Sequence, residues 1–125
     1  MRKEARQRLI AFCLGLPFAY EDYPFDNITD PGAWTVMRHS INRKSFAYIY
    51  ERGGSLCVNL KADPLDADFL RHTFEAVSPG YHMNKTHWIT VAVGGDVPWE
   101  QIEELIRRSY DLIKPKRTKA FSGVE

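Results

Sequence analysis

The chain has 125 residues, 44% hydrophobic and 26% charged, with 17 Lys and Arg against 16 Asp and Glu for a formal net charge of +1. That length suits one domain around one core, hiding roughly two-thirds of the surface the unfolded chain exposes, and the composition excludes a disordered or membrane class. Near-neutral charge excludes a global attraction to nucleic acid or anionic lipid, so any basic patch must be local.

Arg2 to Leu14 reads as a helix, with Ala5, Leu9, Phe12, Cys13 and Leu16 near helical spacing and Gly15 and Pro17 as the stop. Its outer face is expected to be basic, because Arg2, Lys3, Arg6 and Arg8 stand against Glu4 alone. The segment is amphipathic and lacks the apolar centre of a signal peptide, and no later run approaches the roughly 20 apolar residues of a spanning helix. A cytoplasmic protein is expected. Phe18 to Gly32 is acidic and turn-rich and reads as a loop tied down by Tyr20, Tyr23 and Phe25.

From Trp34 the period changes to two. Three strands are predicted: Trp34 to Arg38, Ser45 to Tyr50, and Leu56 to Leu60. Gly53-Gly54 supplies the positive φ of a tight hairpin between the second and third, and His39 to Lys44 forms an exposed loop between the first and second. Asp63-Pro64 starts a short helix, Asp63 as cap, with Leu65, Phe69 and Leu70 as its apolar stripe toward Phe74. Pro79-Gly80 then marks a turn, and His87 to Val93 a fourth strand. Gly94-Gly95 makes another turn, Asp96 can cap, and Ile102, Leu105, Ile106 and Ile113 give the last helix its inward stripe. This order predicts an α+β domain over 1–114, with helices on one face of a mainly antiparallel sheet, and a basic tail over 115–125.

The constellations that carry chemistry are sparse. A metal site needs three or four converging ligands, but His82 and His87 lie five residues apart, His39 and His72 are distant, and Cys13 and Cys57 form no C-x-x-C pair. Neither a metal nor a cofactor is expected, and at least one of the His82 and His87 imidazoles reads as a group that holds the loop by a backbone hydrogen bond. No G-x-S-x-G, catalytic-cysteine or phosphate-loop pattern is present, and the carboxylate pairs Asp66/Asp68 and Glu103/Glu104 read as solvated helix faces. No enzyme is expected. What remains is a set of cations and aromatics at strand ends and loops: Arg38, Arg43, Lys44, Arg52, Lys85 and His87. Such tips can track phosphates, each contact releasing a condensed counterion.

The run PGYHMNKTHW at 79–88, with Ser109-Tyr110-Asp111-Leu112 downstream and Trp34-Thr35-Val36-Met37, Phe46-Ala47 and Leu56 to Pro64 upstream, resembles the MmcQ/YjbR family over nearly the whole chain to about residue 114. That resemblance implies a CyaY/frataxin-like α+β fold and a double-wing arrangement for binding DNA. Tyr81, His82, Asn84, Lys85, His87 and Trp88 are the family-like set. Frataxins bind iron through an acidic ridge on the first helix, whereas this helix carries Arg2, Lys3, Arg6 and Arg8. The expectation is a monomer or weak dimer that binds duplex DNA through Arg38, Arg43, Lys44, Arg52, Asn84, Lys85 and His87. The alternative is a non-catalytic module holding a protein or small ligand in a pocket of Tyr81, His82 and Trp88.

Overall fold

A computed structural model describes residues 2–116, so most of the expected basic tail, from 117 onward, lies outside the described residues. The elements run α1 (Arg2–Leu14), β1 (Ala19–Asp22), β2 (Thr35–His39), β3 (Ser45–Arg52), β4 (Ser55–Lys61), α2 (Pro64–Thr73), β5 (Val77–Pro79), β6 (Trp88–Ala92) and α3 (Trp99–Ile113). The six strands form one antiparallel sheet in the order β1-β2-β3-β4-β6-β5. After β4 the chain crosses through α2 to the far edge, and the β5–β6 hairpin returns it to the interior. The α+β architecture with a one-sided helical layer is the one the element order predicts.

Side-chain alternation divides the sheet. Ile49, Val58, Leu60, Ile89 and Val91 point to the helical side and are fully buried against Leu9, Ile102, Leu105 and Ile106. Ser109 fastens α3 to this layer: its hydroxyl donates to the Phe46 carbonyl at 2.6 Å and accepts from the Lys61 amide at 2.9 Å. Tyr110 meets Phe46 edge-on and donates to the Pro17 carbonyl. The Ser-Tyr pair near the end of the chain is therefore a bolt between helix and sheet.

Several elements depart from the expectations above. Ala19–Asp22, within the segment expected to be a loop, is an edge strand pairing with β2, and Val77–Pro79, leading into the expected Pro79-Gly80 turn, is the other edge strand. Leu65 and Phe69 do not face inward: they are 82% and 66% exposed, and α2 is seated by Ala67 and Leu70 instead. Asp63 caps α2 as expected, its Oδ1 accepting from the Leu65 amide. Asp96 does not cap α3. Its two carboxylate oxygens accept from the Glu75 and Ala76 amides at 2.9 Å each, closing the bend before β5. Arg6 is not part of a solvent-facing basic surface. Its Nη2 turns inward and donates to the carbonyls of Gly32, Ala33 and Ile49 and to the Thr35 hydroxyl, at 2.8–3.1 Å. These four oxygens give the half-buried guanidinium the acceptors it needs.

Candidate nucleic-acid interface

The other face of the sheet carries no helix among the described residues. The parity that sends Ile49 and Val58 to the core sends Tyr48, Tyr50, Arg52, Cys57, Asn59 and Lys61 to this open face, and the β4–β6 register adds Trp88 and Thr90. Trp34, just before β2, stacks on Tyr50 with centroids 4.1 Å apart and ring planes at 14°. Tyr81 lies beside both, 5.7 Å from Tyr50 and 6.5 Å from Trp34. The Arg52 guanidinium covers the Tyr81 ring at 3.9 Å, and Tyr48 meets Trp88 edge-on at 5.7 Å. The result is a broad aromatic surface with a guanidinium laid flat upon it.

Tyr81 comes from the β5–β6 connection, which folds back across the sheet rather than projecting from it. A buried polar hub holds it there. Asn59 donates from Nδ2 to the Tyr81 carbonyl at 2.8 Å, and its Oδ1 accepts from the hydroxyls of Tyr50 and Thr90 at 2.7 Å each. The Thr90 oxygen in turn accepts from the Tyr81 amide at 2.9 Å. Burial pushes the Tyr50 hydroxyl up to about 12, which keeps it a donor throughout the physiological range. Gly80 permits the approach, because a Cβ there would lie 2.7 Å from Trp88 Cβ and 2.9 Å from its carbonyl oxygen. His82 follows with φ +61° and its ring 4.0 Å from Tyr81.

The family-like run thus separates into two jobs. Tyr81 and His82 reach the open face. Asn84 builds the turn, its Oδ1 accepting from the Thr86 and His87 amides, and Lys85 closes the loop by donating from Nζ to the Gly80 carbonyl at 2.8 Å. The exposed His87 accepts at its carbonyl from Ala62 and so ties the loop to the end of β4. Trp88 lies in the strand against Tyr48, and Tyr81 and His82 form their pair apart from it. An apolar groove of about 250 Å³ does exist, but on the helical side, between α2 and α3, lined by residues including Leu70, Leu105 and Leu112.

The cations divide in the same way. Arg38 donates from Nε to Asp22 at 2.8 Å and from Nη1 to the Arg43 carbonyl at 3.1 Å, so it is neutralised and shapes the 40–44 turn. Arg43, at φ +61°, and Lys44 are exposed on that turn, next to the start of β3. Arg52 is at the opposite end of the same strand, a separation of roughly 23 Å at 3.3 Å per residue. The basic tips therefore do not converge on one tip. Arg52 and the family-like loop meet only because Tyr81 reaches back over the sheet. Tyr48, Tyr50, Asn59, Lys61, Thr90 and Trp34 were not among the site residues expected from the sequence, although the strict alternation through 48, 50 and 52 opposite 57, 59 and 61 carried the signal once a face was assigned.

Residues 14–112 match the sequence profile of the YjbR family. The chain belongs to the YjbR family. The Escherichia coli O157:H7 protein YbdF is 34% identical over 100 residues, covering 80% of this chain and 76% of that protein. YyaQ of Bacillus subtilis strain 168 is 32% identical over 103 residues, 74% of this chain and 84% of that one. Among solved structures, the Deinococcus radiodurans protein DR2400, a DUF419 domain, superposes with a TM-score of 0.77 at 35% identity, covering 94% of this chain and 85% of that chain. A Pseudomonas syringae protein superposes with a TM-score of 0.76 at 29% identity, covering 87% and 98%. The YjbR profile spans both the aromatic residues of the open face and the loop that folds onto it, and stops short of the segment beyond 116. The chain also has no helix, among its described residues, long and apolar enough to cross a membrane.

Proposed function

We propose that this YjbR-family protein is a non-catalytic DNA-binding protein and that the open face of its sheet is the contact surface. The observation that carries this reading is the Arg52 guanidinium stacked at 3.9 Å on Tyr81 within an aromatic layer that no helix covers. Arg and aromatic side chains are the groups that meet bases and phosphates by stacking and charge together. Lys61 on the same face, and Arg43 and Lys44 at its rim, supply further positive charge, and among the described residues no carboxylate pairs with Arg43, Lys44, Arg52 or Lys61. The absence of catalysis in this reading is supported by the two thiols, both buried and both shifted upward by that burial, hence poor nucleophiles.

A salt titration of binding to DNA tests the reading. Four cations meeting phosphates give a slope of log K against log salt of about −3 to −4. The double variant Lys44→Glu/Arg52→Glu is expected to weaken binding and flatten that slope. No association at about 50 mM salt, or association indifferent to salt, rejects the reading.

A further inference from the structure

We infer that the open face takes single-stranded nucleic acid, by stacking unpaired bases on its aromatic layer, and not duplex. This rests on the nucleic-acid reading above and makes it narrower.

The argument is first one of shape. A duplex shows its base edges only in its grooves, and the major groove, about 12 Å wide, admits a helix or a two-stranded ribbon. Six strands spaced about 4.8 Å apart make a surface about 24 Å across between its outer strands, twice the width of that groove. Tyr48, Tyr50 and Trp88 belong to β3 and β6, in the interior of the sheet, and Trp34 stacks directly on Tyr50. Rings so placed cannot enter a groove, and the π-faces of paired bases are already covered by their neighbours. A strand whose bases are unstacked can lay them on such a surface.

The second argument is charge. Duplex binding by counterion release draws on many phosphate contacts, and the cations here are few and divided. Arg38 is neutralised by Asp22 at 2.8 Å, and Lys85 is held by the Gly80 carbonyl at 2.8 Å. The β3–β4 hairpin has its last strand residue, Arg52, folded back over Tyr81 rather than extended beyond the tip. What the face does offer is a line of partly exposed rings: Tyr81 under Arg52, then Trp34 laid over the buried Tyr50, then Tyr48 with Trp88, and Lys61 at the far end. Counting residues along β3 and β4, that line runs about 20 Å from one cation to the other. A single strand laid along it would have its backbone met by the two cations and its bases by the rings between. Stacking of this type tolerates any base, so little sequence preference is expected.

The experiment uses the full chain and fluorescently labelled oligonucleotides of about twelve residues at about 50 mM salt: dT12, rU12, and a G·C-rich duplex that stays paired under those conditions. The expected result is that one or both single strands bind at least tenfold more tightly than the duplex, with dT12 against rU12 showing which sugar the face prefers. Arg52→Ala and Tyr81→Leu should each lower single-strand affinity roughly tenfold. Tyr81→Phe, which keeps the ring, should restore it, and that rescue separates a stacking role from a merely structural one. Tryptophan emission supplies a second readout. Trp34 and Trp88 belong to the open face, whereas Trp99 lies under Arg8 on the helical side, so Trp34→Phe and Trp88→Phe should each remove part of the quenching by dT12 and Trp99→Phe none of it. Duplex bound as tightly as single strand overturns this inference and leaves the nucleic-acid reading standing. No binding to any of the three probes overturns both.

Discussion

On the helical side of the sheet, Ile49, Val58 and Leu60 are buried by other apolar side chains brought by three helices; on the open side, Tyr50, Asn59 and Thr90 are equally buried, at 1%, 0% and 4% exposure, without any helix over them. The first face is sealed by elements that need only be greasy and well shaped. The second is sealed by its own loop and by Trp34, and those covering groups are polar or aromatic and remain partly exposed. With the open face as the proposed contact surface, stability and binding fall to different residues on one face and to the same residues on the other. A substitution under the helices should alter only how long the fold survives. One under the loop should alter the surface as well.

The largest expected effect is on the helical side. Ile49→Ala removes a fully buried side chain from the interior strand β3, and such truncations cost about 2–5 kcal/mol, depending on how far the site collapses. Urea denaturation is the measure, with oligonucleotide affinity of the folded protein unchanged. A variant that stays near wild-type stability yet loses affinity contradicts the division between the faces.

Asn59→Ala makes the complementary test. It strands the Tyr50 hydroxyl, the Tyr81 carbonyl and one bond of the Thr90 hydroxyl, and a buried polar group left unpaired costs about 1–3 kcal/mol. Local consequences should outlast the global one: the Tyr81 amide, bonded to Thr90, should exchange with solvent much faster than amides in β3. Unchanged protection at Tyr81 shows that the loop is held by something other than this hub.

The contrast between the faces also explains what could be read in advance. The β3–β4 hairpin was legible because Gly53 and Gly54 occupy φ +58° and +81°, where side chains are strained, and α3 because its stripe is apolar on one side only. The strands were legible as strands, but β3 and β4 carry bulky or apolar residues at both parities, so nothing in their pattern said which face would receive helices. Edge strands β1 and β5 bury little, and without burial there is no period to detect. In α2, Leu65 and Phe69 drew attention for their size, yet the small Ala67 is what lets the helix approach β5 and β6. Arg6, Asn59, Thr90 and Asp96 escaped because each has at least one defining partner 20 or more residues away in sequence. The run at 79–88 was recognised from its composition, while its division into a face-covering Tyr81 and a turn-building Asn84 needed coordinates.

The smallest expected effect concerns a group outside both faces, and its sign can be worked out. Asp96 accepts from the amides of Ala76 and Glu75, which hold its carboxyl below the usual carboxylate value of 3.8. Its unfolded counterpart titrates near that ordinary value, so between the two the unfolded chain binds the extra proton and stability falls as the solution is acidified. The contribution is complete above the unfolded value and disappears as the pH falls through the lower, folded one. Asp96→Asn retains one acceptor and cannot ionise, so it should be less stable than the parent at neutral pH and approach it in acid. Urea midpoints taken from neutral pH down to about pH 2 should therefore converge. Parallel midpoints across that range mean that the Asp96 charge does not hold the bend before β5, and that the backbone fixes it without the carboxylate.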